Sequence, residues 1–381
     1  MSVTPFTVPV EAAEVDWIME RVKAHRWIPE PANAGWAYGA NRQYLEGLRE
    51  HWLHRFDWPA AVAGLNALPH FRAPVGDLNL HFIHRRSSRA DAKPLLLSHG
   101  WPGSVFEFAH LIDRLAEPQH PAAPAFHVVA PSLPGFAWSD APTAPIGPRA
   151  VAGLYDRLMT EVLGYPRYIA QGGDWGCVIS AWLGLDSSAV TAIHLNGYGL
   201  RNADMTPQSE AEGRWLAWAT RIRETETAYL MLQGTKPQSL GYAMMDSPMG
   251  VAAWLAEKFC GWSDLSADDG RPAFAQPPFT YDQMLTNIMI YLTTRSFVTA
   301  TWIYRGMFEE GGFTIPEGRR IEQPVGVAAF PHDLLAFPPR SMVERGYNVV
   351  HWTDMPRGGH FASLEEPELF LTDVRRFVAS L

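Results

Sequence analysis

The sequence predicts an α/β fold, built on a mostly parallel central sheet that a helical insertion interrupts. Three observations predict it. Between about residues 94 and 200, short apolar runs alternate with helical patterns, and each run ends in a loop rich in glycine, proline or small polar residues. One run, 168–170, leads into Gln171-Gly172-Gly173-Asp174-Trp175-Gly176, which has the form of a strand turning sharply into a helix with small residues flanking the tip. From about 200 to 320 the strand signals give way to helical patterns rich in Trp, Met and Tyr, and two apolar runs then return at 325–329 and 348–352.

Composition narrows the class. At 381 residues the chain is long enough to bury a large core, and 47% apolar with 19% charged residues is ordinary for a globular protein. The 15 Trp and 19 Phe point to extensive aromatic packing. A net charge of −9 argues against nucleic acid as a partner. The two cysteines, Cys177 and Cys260, do not make a disulfide framework, and no CxxC pair or HExxH cluster suggests a metal. No apolar run reaches the roughly 20 residues needed to span a bilayer, and no basic segment followed by an apolar stretch marks a signal peptide. The expectation is a soluble, cytoplasmic protein without a membrane partner; whether it forms a homo-oligomer is left open.

In order along the chain, Val15, Ile18, Met19 and Val22 recur at helical spacing, and Leu45, Leu48, Trp52 and Phe56 do so again, with Pro29, Pro31 and Gly35 between the two helices. Leu78, Leu80 and Phe82 alternate with Asn79 and His81, which predicts a half-buried strand. A buried strand at 95–97 ends in the His99-Gly100-Trp101-Pro102-Gly103-Ser104 loop and feeds a helix over 105–115. A strand at 126–130, a helix over about 149–163, the 168–170 strand and a strand at 190–195 follow, and a helix from 369 closes the chain. The predicted organisation is an N-terminal extension wrapping the core (1–90), a first core part (91–199), a helical lid (200–320) and a second core part (321–381).

The tip residue sets the chemistry. Asp174 stands where a serine hydrolase has its nucleophile, so a carboxylate is the expected attacking group. In α/β-hydrolases the orienting acid and then the base follow the nucleophile. His360, in Arg357-Gly358-Gly359-His360-Phe361, is the expected base, with His351 a weaker candidate inside a strand pattern. Asp333, after the strand that ends near 330, is the expected acid, with Asp354 as rival. Backbone N–H groups of Trp101 and Trp175 are the expected oxyanion donors.

With these pieces in place, the chain resembles the epoxide hydrolases of the α/β-hydrolase fold, in the branch that contains the microsomal, juvenile hormone and fungal enzymes. HGWPGS (99–104) is similar to that family's oxyanion loop, QGGDWG (171–176) to its nucleophile elbow, GGHFASLEEP (358–367) to its histidine loop, and the phrases around Trp36, His51, Thr235, Asp246, Glu257 and Trp262 to its N-terminal and lid signatures. The resemblance implies two lid tyrosines that hold the epoxide oxygen, at Tyr229 and Tyr304; Tyr198, Tyr242, Tyr281 and Tyr291 compete on residue type alone. It implies an apolar epoxide and water as substrates, no cofactor, a covalent ester on Asp174, and hydrolysis by water that His360 activates. The membrane anchor of the microsomal enzymes is not expected to carry over. Two alternatives remain at this stage: a haloalkane dehalogenase, which shares the fold and an Asp nucleophile, and an inactive relative that only binds ligand.

Overall fold

The computed structural model describes residues 2–265 and 278–381. The part of the expected lid at 266–277 lies outside the described residues.

One sheet organises the molecule. Its strands are β1 (Thr4–Phe6), β2 (His70–Val75), β3 (Leu78–Arg85), β4 (Lys93–Ser98), β5 (Phe126–Pro131), β6 (Tyr168–Gly172), β7 (Val190–Leu195), β8 (Ile321–Ala329) and β9 (Tyr347–Asp354), in the spatial order β1-β2-β3-β5-β4-β6-β7-β8-β9. From β5 to β9 every pairing is parallel, whereas β1, β2 and β3 join the β5 edge antiparallel. The β2–β3 hairpin turns at Gly76, whose φ of +61° is the left-handed conformation that glycine adopts without steric cost. Strand β4 shows why the central strands read as unbroken apolar runs. Leu95 and Leu97 pack into one core cluster with Leu111 and Phe377, and Leu96 packs into the opposite one with Val178.

The expected half-buried character of the 78–82 strand is corrected. His81 is as inaccessible as its neighbours Leu80 and Phe82. Its imidazole is tied on both sides, to Ser132 Oγ at 2.9 Å and to His70 Nδ1 at 2.9 Å. A polar residue was read as solvent-facing, but hydrogen bonding allows a polar ring inside.

Helices cover the sheet and its strand ends. The N-terminal segment carries α1 (Ala12–Lys23), α2 (Arg42–His54) and α3 (Trp58–Leu65). Asn41 caps α2 by accepting from Tyr44 N–H, and Asp57 caps α3 by accepting from Ala60 N–H. The sheet is flanked by α4 (Ala109–Ala116), α5 (Pro148–Arg157) and α6 (Trp175–Asp186). The helix expected over 105–115 begins as a tighter turn at Val105–Phe108, and the one expected to reach 163 ends in a wider π turn at Leu158–Val162. Between β7 and β8 run α7 (Glu210–Glu226), α8 (Ala228–Thr235), α9 (Pro237–Met245), α10 (Pro248–Gly261), α11 (Tyr281–Thr293) and α12 (Phe297–Glu309). Against this group pack the N-terminal helices, α1 on α10 and α2 on α11. Short helices α13 (Arg340–Val343) and α14 (Ala362–Glu365) and the final α15 (Pro367–Ala379) complete the chain.

Beneath α15, the buried Asp373 carboxylate accepts from His194 Nε2, His351 Nε2 and Thr353 Oγ1, which binds β7 and β9 to the last helix. His351 therefore has a structural partner well supplied by the fold. Among the described residues no helix is long and apolar enough to cross a membrane.

Candidate active site

The C-terminal ends of the parallel strands converge on Asp174, at the sharp turn between β6 and α6. Its backbone sits at φ +49° and ψ −125°, a conformation that costs an L-residue about 1–3 kcal/mol. Two close approaches hold that turn. A Cβ on Gly172 would fall 2.1 Å from the Gly176 carbonyl, and one on Gly176 would fall 1.9 Å from the Ser98 carbonyl oxygen. Only glycine at both positions lets the turn press against β4. The carboxylate of Asp174 is thereby lifted off the strand end, with 22% of its side chain still accessible.

Each oxygen of that carboxylate has its own partner. Oδ1 accepts from Trp101 N–H at 2.8 Å, in the loop that follows β4. Oδ2 lies 3.3 Å from His360 Nε2. A Cβ on Gly100 would sit 2.0 Å from Oδ1, so the loop reaches the carboxylate because position 100 is glycine. Trp175 N–H, at the first position of α6, has no acceptor among the described residues and is an open donor at a helix N-terminus.

Asp333, in the loop after β8, accepts from His360 Nδ1 at 2.7 Å. Both side chains are about nine-tenths buried, at 10% accessible each. Burial alone would lower the His360 pKa, but the Asp333 and Asp174 carboxylates outweigh it and hold the imidazole well above its usual 6.5. The loop that carries His360 is braced from two sides. His360 N–H donates to Trp262 O at 2.8 Å, at the end of α10, and Gly358 N–H donates to Asp264 Oδ2 at 2.8 Å. Glu365 accepts from the N–H groups of Asp264, Gly359 and Phe361. Asp354, the rival acid, is exposed and accepts from the Trp352 indole instead.

Opposite Asp174 stand Tyr229 on α8 and Tyr304 on α12. Tyr229 stacks on Trp101 with ring centres 5.3 Å apart, and Tyr304 meets Trp175 edge to face at 4.7 Å. The two tyrosine rings are nearly perpendicular at 5.9 Å. Burial, reinforced by the Asp174 charge, pushes both phenols well above their usual range, so both stay protonated. These tyrosines, Asp174, Asp333 and His360 share one cavity of about 320 Å³, which Leu230, Phe308, Phe313 and Leu334 also line. The competing tyrosines lie elsewhere, except for Tyr198, which lines the same cavity. Tyr242 is exposed, Tyr281 packs on Tyr44, and Tyr291 donates to Gly103 O at 2.7 Å.

The structure thus brings all seven sequence-derived site residues into one region. Three others adjoin them that residue type alone did not single out. Trp262 packs edge to face on the His360 ring at 5.0 Å. The Lys258 ammonium lies 4.8 Å from the centre of the Tyr229 ring. Glu107, in the first turn after the 99–104 loop, feels both Asp174 and His360, and desolvation pushes its carboxyl up to about 8. None of the three has a spacing signal, because each is brought in by tertiary packing.

The chain is similar to known proteins over nearly its whole length. Residues 3–108 match the family described as epoxide hydrolase N terminus, and residues 93–228 match the alpha/beta hydrolase fold. The chain is 38% identical to a putative epoxide hydrolase of Stigmatella aurantiaca, over 98% of this chain and 84% of that protein. It is 33% identical to epoxide hydrolase 1 of Oryctolagus cuniculus, over 99% and 89% respectively. The solved structure of Aspergillus niger epoxide hydrolase superimposes with a TM-score of 0.87 at 32% identity, covering 100% of this chain and 97% of that one.

Proposed function

This chain belongs to the epoxide hydrolases of the α/β-hydrolase fold, and from that premise we propose how its residues divide the reaction. Asp174 attacks an epoxide carbon through Oδ2, while the Tyr229 and Tyr304 phenols hydrogen-bond the ring oxygen and give it a proton as the C–O bond breaks. The product of this step is a hydroxyalkyl ester of Asp174. Water then adds to Cγ of the ester and passes its proton to His360 Nε2, which Asp333 orients. Trp101 N–H and Trp175 N–H stabilise the tetrahedral oxyanion. Collapse breaks the Cγ–O bond, the leaving oxygen takes the second proton of the added water to give the vicinal diol and the Asp174 carboxylate, and the proton held by His360 restores the tyrosine.

One observation carries this reading: the two oxygens of a single carboxylate are divided between a backbone donor at 2.8 Å and an imidazole at 3.3 Å. That arrangement serves attack by Oδ2 on an epoxide carbon and later hydrolysis at Cγ of the same carboxylate. It also explains how His360 acts as a base although its pKa is raised. Part of the elevation comes from the Asp174 charge. Ester formation removes that charge, so the imidazole is released to its neutral form when a base is needed. The same loss of charge makes the phenols more acidic as the alkoxide develops.

The helices between β7 and β8 act as the lid, because they supply both phenols and roof the cavity. The apolar and aromatic side chains in that cavity suit an apolar epoxide.

The test is a single turnover with enzyme in excess, in water enriched in heavy oxygen. The diol is expected to leave without label, and Asp174 is expected to retain it, because water enters at Cγ. Label in the diol would mean direct attack by water and would overturn the ester mechanism. Asp174→Ala is expected to form no diol.

A further inference from the structure

A second, far smaller cavity touches Asp174 and His360. Its volume is about 10 Å³, and it shares only those two residues with the substrate cavity. This is the size of a single water molecule. Its remaining polar wall is formed by Glu107, Ser98, Asn196 and Ser363, and the apolar wall includes Phe108 and Phe361.

Two features of this wall are unexplained by packing. Ser98 Oγ is fully buried and has no hydrogen-bond partner among the described residues, a condition that costs about 1–3 kcal/mol when nothing relieves it. The Glu107 side chain folds back over Gly103, where a Cβ would lie only 1.5 Å from Oε1. Glycine at 103 thus admits a carboxyl beside the reacting centre. In the fold alone, neither an unpartnered hydroxyl nor an inward-turned acid has a use. Both are suited to gripping one water next to the carbon that water must attack.

We propose that this cavity is the site of the hydrolytic water, and that Glu107 and Ser98 position it against Cγ of alkylated Asp174. The inference rests on the ester reading above. The Glu107 carboxyl, raised to about 8, is protonated at neutral pH, so it offers both a donor and an acceptor without adding a charge beside the attacking oxygen. Asn196 is already engaged, accepting from Gln171 Nε2 at 2.7 Å, and closes the cavity at the β7 end. In the step itself the water oxygen bonds to Cγ and its proton moves to His360 Nε2. The Cγ–O bond to the alcohol then breaks, and the leaving oxygen takes the remaining proton of the added water, so that Asp174 returns to a carboxylate and the alcohol departs as the diol. Glu107 neither gains nor loses a proton overall.

The experiment separates the two chemical steps in Glu107→Ala, Glu107→Gln and Ser98→Ala. Stopped-flow tryptophan fluorescence measures alkylation, and mass spectrometry of quenched enzyme measures the ester. Glu107→Ala is expected to slow hydrolysis about 10-fold or more, the worth of one well-placed hydrogen bond, while alkylation stays within about 3-fold. Then kcat and KM fall together, kcat/KM is preserved, and the ester accumulates. Glu107→Gln is expected to recover most of the hydrolysis rate, and Ser98→Ala to slow hydrolysis by a smaller factor. The alkylation rate serves as the check that each variant is folded. Unchanged hydrolysis in Glu107→Ala overturns the proposal. So does an equal fall in both steps, or a glutamine that hydrolyses no faster than alanine. If wild-type enzyme forms no ester, the reading of the previous section fails first and this one with it.

Discussion

Replacing the two phenols tests the division of labour at the epoxide oxygen. In Tyr229→Phe and Tyr304→Phe the ring remains, so the stacking on Trp101 at 5.3 Å and the edge contact with Trp175 at 4.7 Å are kept. What is lost is one donor to a developing alkoxide. A hydrogen bond to a charged acceptor is worth about 1.5–3 kcal/mol, or roughly a 10- to 150-fold fall in the alkylation rate for each single variant. The double variant leaves the alkoxide without a phenol in a buried cavity, and the loss is expected to reach about 10²- to 10⁴-fold. Hydrolysis of the ester uses other donors and should change little. Stopped-flow fluorescence is suited to the assay because Trp101, Trp175 and Trp262 lie beside the reacting atoms. A double variant within about 3-fold of wild type, or a loss confined to hydrolysis, would refute the role given to the phenols. Both phenols are raised well above their usual range by burial, so wild-type alkylation should show no loss from phenol ionisation up to about pH 10.

Three further outcomes are expected. His360→Gln should alkylate but hydrolyse about 10²- to 10⁴-fold more slowly, and intact-protein mass spectrometry should find one substrate mass added at Asp174; consumption of substrate with no adduct would contradict the scheme. Because the folded His360 pKa is raised, its stabilising ion pairing is fully present below about 6.5 and is lost as pH rises through the higher folded value. Melting temperature should therefore fall over that alkaline range in wild type, and less so in His360→Gln. Asp373 is the opposite case: its carboxyl is held down at about 2, chiefly by His194 and against the cost of burial, so its contribution is present above about 4 and lost as pH falls through about 2. Asp373→Asn should cost about 2–3 kcal/mol near neutrality and flatten the acid limb of a denaturant-monitored pH profile.

Much of this was legible in the order of residues because glycine and strand periodicity leave strong marks. The elbow at Asp174, the loop before Trp101 and the histidine loop all combine an apolar strand with glycines that permit close approach. Asp333 was legible from chain order after β8. The two tyrosines were not legible from spacing, since α8 and α12 are separated by about 60 residues of chain and meet only in the fold; family resemblance placed them. Glu107 left no mark because an acid in the first turn of a helix reads as a favourable dipole contact. His81 misled because alternation in β3 assumes that polar side chains face water, and here Ser132 and His70 satisfy the ring inside.

The hydrogen bonds that fasten the histidine loop to the end of α10 bear on how substrate enters. Trp262 O and Asp264 Oδ2 grip the backbone of His360 and Gly358, so the roof and the base are parts of one mechanical unit. Swinging the roof away as a rigid flap would drag the imidazole from Asp174 and break the site on every cycle. Epoxide and diol are therefore expected to pass through the mouth of the cavity, which Met231 and Phe308 line while more than one-third exposed. Selection of substrates by the bore of an entrance, as well as by the shape of the chamber behind it, is the expected consequence.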